Sequence, residues 1–239
     1  MYISFIVKIL SFFDYIKKKD VINFFKKNLK DDINNFIDVG AHHGETIKLF
    51  NKNFNIKNFY AFEASYHNFT ILKKKTRNIK NTNLEIFNYG IGDKEGVFDF
   101  NQSIETQSST LVSINYNSKY YKKKTKLLKF FNKKNSFFSP VKVEIKPLSN
   151  FLDKRKVKYV EILKIDTEGY DFNVIKSLGS NIKDVKYIYF EHHFHDMLKK
   201  NYNLTQLHTF LIKNGFKKAF KTKMFYRKTF EYIYKNINI

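Results

Sequence analysis

Apolar runs of strand length recur along this chain and alternate with helical stretches, and no other feature constrains the fold as tightly. The runs are Asn35–Val39, Phe59–Phe62, Leu84–Asn88, Tyr159–Ile165 and Val185–Glu191. Helical spacing marks residues 44–52, 66–77, 170–178 and 203–213. A parallel strand pair needs a crossover of about a dozen residues or more, so this rhythm predicts a parallel sheet with helices on both faces. The apolar pairs Phe36-Ile37 and Ile162-Leu163 fit strands buried on both sides. With 239 residues, no internal repeat and no Gly/Ser/Pro-rich linker, the chain reads as one large α/β domain.

Ahead of the first strand, Ile3, Ile6, Leu10 and Phe13 form one face of an amphipathic helix interrupted by Lys8 and Ser11. It is too short to span a bilayer, and packing on the domain is expected. Lys17, Lys18 and Lys19 follow the apolar stretch, the reverse of a secretory leader. Asp20 is placed to cap a second helix bearing Val21, Phe24, Phe25 and Leu29. Residues 1–32 are thus expected to be a helical extension of a domain over 33–239.

Residues 101–139 break the rhythm. They run polar and then basic, with eight lysines and no acid from Lys119 to Lys134, interleaved with Tyr120, Tyr121, Phe130, Phe131, Phe137 and Phe138. A long aperiodic segment is functional or disordered, and the aromatics favour an ordered, substrate-facing insertion. The formal charge of +22 has two readings: Lys-rich codon usage, or a surface that attracts anions. The absence of cysteine excludes disulfides, thiolate metal sites and a cysteine nucleophile, and fits a reducing, cytoplasmic setting.

Six of the eight glycines cluster just after expected strands, where open α/β sheets bind ligands. The first loop reads Asp38-Val39-Gly40-Ala41-His42-His43-Gly44-Glu45-Thr46. It lacks the Gly-Lys-Ser/Thr of a phosphate loop and the third glycine of a dinucleotide fingerprint, and its acids suit a cationic ligand instead. Glu63 closes the second strand, where an acid can accept hydrogen bonds from ribose hydroxyls. Gly92-Asp93-Lys94-Glu95-Gly96 reads as a hairpin turn into a strand at Val97–Phe100. Leu163-Lys164-Ile165-Asp166-Thr167-Glu168-Gly169 ends a buried strand with two acids, and such acids need partners.

Together these segments resemble the FkbM family of S-adenosylmethionine-dependent methyltransferases. The likeness rests on Asp38 to Gly44, Phe62-Glu63, Gly90-Ile91-Gly92-Asp93, Leu163 to Gly169 and Glu191-His192-His193, in that order. The family's Leu-Asp segment is met only by Leu148-Ser149, so no role is carried to Ser149. The resemblance implies a Rossmann-like class I methyltransferase fold, with a mostly parallel seven-stranded sheet. It implies S-adenosyl-L-methionine as cofactor, held by Asp38, Gly40, Ala41, Gly44 and Glu63, with Asp93 near the adenine. The implied reaction is methylation of a hydroxyl oxygen on a sugar, glycan or glycolipid precursor.

An alcohol must lose a proton in such a reaction, and Asp166, Glu168, Glu191, His192, His193 and His195 are the candidates. His193 fills the Glu-x-His position and is expected to act with Asp166 and Glu168. Strand alternation sets His192 on the opposite face. No metal is expected, a divalent ion on Asp166, Glu168, Glu191 and His193 being the lesser alternative. Competing functions are an RNA methyltransferase using the basic surface and a module that binds cofactor or lipid without turnover. The partners expected are a small-molecule or glycan acceptor and an anionic surface at the inner face of the membrane, with nucleic acid disfavoured.

Overall fold

A computed structural model describes residues 18–29, 32–104, 106–129, 137–224 and 228–239, with the side chains of 127–129 excluded. The helix expected around Ile3–Phe13, and Phe130 and Phe131, lie outside the described residues. The chain runs through a helix α1 over 18–28, then β1 (Asp32–Val39), α2 (Glu45–Asn53), β2 (Asn55–Phe62), α3 (Tyr66–Thr76) and β3 (Asn83–Phe87). The short β4 (Gly90–Ile91), β5 (Gly96–Ser103), β6 (Ser113–Ile114), α4 (Lys119–Lys129) and β7 (Phe138–Lys146) follow. The second half holds α5 (Leu148–Arg155), β8 (Val160–Ile165), α6 (Asp171–Lys176), β9 (Val185–His193), β10 (Leu198–Lys199), α7 (Leu204–Lys213), β11 (Phe216–Lys223) and β12 (Thr229–Asn236).

Seven strands form the central sheet in the order β11-β12-β9-β8-β1-β2-β3. The β1, β2, β3, β8 and β9 pairings are parallel, and β12 runs antiparallel to both β9 and β11. The sheet is therefore mostly parallel, and the order reverses between β1 and β8, so the tips of β1, β2 and β8 open one crevice.

Both faces are covered, as the alternation of strands and helices requires. One face packs Phe36, Phe59, Ala61, Ile162 and Tyr187 against Val21, Ile22 and Phe25 of α1 and Ile47 and Phe50 of α2. The other packs Ile37, Leu163, Ile188 and Phe190 against Phe151 of α5, Val174 and Ile175 of α6, and Leu207 and Leu211 of α7. The core is built of rings: Phe36 stacks on Phe59 at 4.5 Å, and Phe62 meets Phe151 edge-on at 5.0 Å. Asp20 lies inside α1 rather than capping it, because the helix begins earlier.

Where the sequence reads a hairpin after Gly92, the structure inserts a third partner. β5 pairs antiparallel with β7, which arrives some 40 residues later, and β7 pairs parallel with β4. The basic insertion thus leaves and re-enters a small three-stranded sheet. The lysines from Lys119 to Lys129 lie on α4, whose start is capped by Ser118 Oγ accepting from Tyr121 N at 3.0 Å.

Candidate functional site

The loop leaving β1 turns back over the sheet through backbone contacts. Gly40 N and Ala41 N both donate to Phe62 O, at 2.9 and 3.0 Å, which ties the loop to the tip of β2. Gly40 takes φ 83°, and a Cβ there would lie 2.0 Å from Asp166 O, so only glycine lets the β1 and β8 tips approach. Gly44, at φ 85°, opens α2 and donates to Ala41 O at 2.8 Å.

Glu63 follows directly on β2 and is 5% exposed. Its carboxylate accepts from His42 N at 2.8 Å and Ser65 N at 2.9 Å, so backbone donors fix its rotamer. Burial raises its pKa to about 7, although those same bonds pull the other way. The strained His42, at φ 47°, reaches Thr106 Oγ1 through Nε2 at 2.7 Å and stacks on His43 at 3.7 Å.

One cleft joins this loop to the tip of β8. It is lined by Gly40, His42, Glu63, Asn68, Gly90, Thr106, Ser109, Asp166, Thr167 and Glu168, with Phe62, Ile91, Phe100 and Leu111 among its apolar walls. Among the described residues no lysine or arginine lines it, while three carboxylates do. That donor set disfavours phosphate and fits a cation that also offers hydroxyl donors, such as a sulfonium nucleoside.

Asp38 sits just beneath. It is 0% exposed, and neither carboxylate oxygen has a hydrogen-bond partner among the described residues. It is absent from the cleft wall and faces Lys164, its register partner on β8. Burial raises Asp38 to about 6, Lys164 opposing and Asp166 reinforcing the shift. Asp38, expected among the cofactor-holding residues, thus lies buried behind the loop and off the cleft wall.

The acids and histidine expected at the tips of β8 and β9 do converge. Lys164 Nζ pairs with Asp166 Oδ2 at 3.1 Å. Burial alone would raise Asp166, but Lys164 outweighs it and holds the carboxyl below its usual value. Glu168, at φ 50°, turns the chain so that its Oε2 lies 3.5 Å from His193 Nε2, and Glu191 Oε1 lies 3.7 Å from the same nitrogen. Glu191 is pushed well above the carboxylate range by burial and by Asp166, Glu231 and Glu168. His193 is 5% exposed and bonds Thr229 Oγ1 through Nδ1 at 3.1 Å.

Burial lowers His193 to about 4, so it is a neutral imidazole at physiological pH rather than one poised near 6.5. Nor does it line the cleft; Asp166 and Glu168 stand in front of it. His193, expected to act as base with Asp166 and Glu168, thus lies beside both acids and behind the cleft wall. His192 faces away, with its ring 5.9 Å from Tyr202, and His195 stacks under Tyr120 at 4.1 Å.

Three groups that the sequence left unassigned complete the site. Thr110 Oγ1 donates to Glu168 O at 2.7 Å and Thr106 holds His42, so residues 106–111 strap the two sides of the cleft together. Lys200 donates to His193 O and approaches His192 Nε2 at 3.4 Å. Lys164, a buried lysine in β8 flanked by Leu163 and Ile165, was the visible signal that buried acids would gather around it. Asp93 does not join them. It accepts from Asn173 Nδ2 at 2.8 Å and from Lys176, is held below its usual pKa by those bonds despite burial, and is not on the cleft wall. Asp93, expected near the adenine, here clamps the β4 turn to α6.

The family described as methyltransferase FkbM domain matches residues 38–218. No curated protein matches the chain in sequence. Among solved structures, the methyltransferase FkbM of Methylobacillus flagellatus aligns with a TM-score of 0.56 at 12% identity, over 87% of this chain and 44% of that one. This chain therefore spans less than half of that protein's length, and the likeness speaks to the fold. TrmK of M. capricolum, solved with S-adenosyl-homocysteine, aligns with a TM-score of 0.49 at 9% identity, over 90% of this chain and 67% of that one.

Proposed function

The chain belongs to the FkbM methyltransferase domain family, and from that premise we propose that it methylates a hydroxyl oxygen of a sugar, glycan or glycolipid precursor with S-adenosylmethionine. One observation supports this above the rest: the Gly40–Gly44 loop and Glu63 share a single cleft with Asp166 and Glu168. When bound, S-adenosylmethionine would supply an electrophilic methyl group to the acceptor oxygen. Gly40, Ala41 and Gly44 would shape the loop around it, and Glu63 would accept from its ribose hydroxyls.

Asp166 and Glu168 face the cleft from the acceptor side, where an alcohol must be oriented and lose its proton. Positioning of this kind supplies much of the rate in a displacement reaction. Thr110 fixes the Glu168 turn from above, and Lys164 keeps Asp166 ionised from below. The lysines of α4 flank this side, so the acceptor is read as anionic or as presented at an anionic membrane surface in the cytoplasm. No described helix is long and apolar enough to cross a membrane.

The test is transfer of labelled methyl from S-adenosylmethionine to panels of sugars, glycolipids and RNA. Label recovered as an O-methyl group on a glycan or glycolipid supports the proposal. Label confined to RNA, or to nitrogen, overturns it.

A further inference from the structure

We infer that Asp166, Glu168 and His193 Nε2 form a binding site for one divalent cation, Mg²⁺ or Mn²⁺, at the tips of β8 and β9. One ligand atom from each lies within 4.8 Å of the others. Two metal bonds of about 2.1 Å span roughly 4 Å, so a small inward swing of the Glu168 side chain closes the set. Two carboxylates and one imidazole, with the remaining positions open to water or substrate, suit these metals.

The acids alone would not make this a site; His193 does. Its Nε2 is buried and makes no hydrogen bond among the described residues, yet it points at carboxylate oxygens 3.5 and 3.7 Å away. These separations exceed a normal hydrogen bond. Thr229 holds Nδ1, the outer contact that orients a metal-bound histidine.

Resting on the proposed hydroxyl chemistry, the ion's role is to bind the acceptor oxygen and lower its pKa, so that the proton passes to solvent water.

His42, His43 and Glu45 also bring ligand atoms within reach of one another, but Glu45 Oε2 already accepts from His43 N at 3.2 Å and faces His42 Nδ1 at 3.3 Å. The pair of sites sets the experiment. Mn²⁺ is titrated into the full chain without cofactor or acceptor, and bound ion is followed by electron paramagnetic resonance and spin-echo modulation. Wild-type protein is expected to bind one Mn²⁺ with an imidazole nitrogen in its coordination shell. Glu168→Gln, which keeps the fold, and His193→Gln are each expected to weaken binding at least about tenfold, with the nitrogen signal lost in the second. Glu63→Ala is expected to bind Mn²⁺ normally, which separates this site from the cofactor reading. No Mn²⁺ binding by the wild type, binding unchanged in Glu168→Gln, or binding lost only in His43→Ala overturns the inference.

Discussion

Replacing Gly40 with alanine sets a Cβ 2.0 Å from the carbonyl oxygen of Asp166 and strains a backbone at φ 83°. Neither the β1 loop nor the β8 tip can yield without opening the cleft. Gly40→Ala is expected to lose roughly 2–4 kcal/mol, a fall of about 5–15 °C in melting temperature. Gly179→Ala makes the control, because at φ 54° it has no atom within 4 Å of an added Cβ and pays only about 1–2 kcal/mol for the left-handed backbone. Equal melting temperatures for the two variants would show that the approach at Gly40 is not tight. Glu63 gives a pH signature. Its folded pKa, raised from 4.5 to about 7, leaves it protonated below that pH. Ribose hydroxyls donating to it favour the ionised form, so cofactor binding releases a proton in acid. Affinity is expected to fall by up to about tenfold per pH unit below pH ~7 and to level off above it. The same sign makes Glu63 destabilise the empty fold as pH rises from 4.5 to about 7, since the unfolded carboxyl releases its proton first. Calorimetry in buffers of different ionisation enthalpy reads the proton release directly.

At the scale of elements, the strands that run apolar were legible: Phe36-Ile37 and Ile162-Leu163 are buried in β1 and β8, as their composition implies. β7 was not, because Pro140 and the lysine-rich approach mask it. The alternation of Val141, Val143 and Ile145 was the available signal, with Val143 and Ile145 buried against β5. A sequence also cannot show that β5 bypasses β4 to pair with a strand 40 residues on, which is why Asp93 looked free for a ligand. Asp93→Asn is therefore expected to cost about 1 kcal/mol of stability through Lys176 and Asn173 while leaving cofactor affinity within a few fold. A large loss of affinity would return Asp93 to the cofactor site. For α4, Lys119, Lys122, Lys123 and Lys126 are exposed, whereas Lys124 reaches Ser108 Oγ at 2.5 Å. Changing the four exposed lysines to Gln is expected to shift the melting temperature by no more than a degree or two, about 0.5 kcal/mol. The same change is expected to weaken binding to anionic vesicles, with the difference vanishing in high salt. A fall in stability instead would make α4 part of the core.

Across the whole molecule, the chain separates its charge. A +22 total accompanies a cleft whose titratable wall is acidic, so basic surface and anionic interior lie on one small domain. That division fits a cationic cofactor entering the crevice and an anionic acceptor arriving over α4. The place of the crevice followed from the strand rhythm and the glycines, whereas the depth of His193 and Asp38 did not, because burial is set by the strap at 106–111 and by β12. Equilibrium binding of S-adenosylmethionine to the wild-type chain and to Glu63→Ala, measured by calorimetry near pH 8, tests the central claim most directly. Saturable one-site binding is expected in the wild type, weakened in the variant by about 1.5–3 kcal/mol for the lost charged acceptor. No binding by the wild type, or equal binding by both proteins, would contradict the assignment of this cleft.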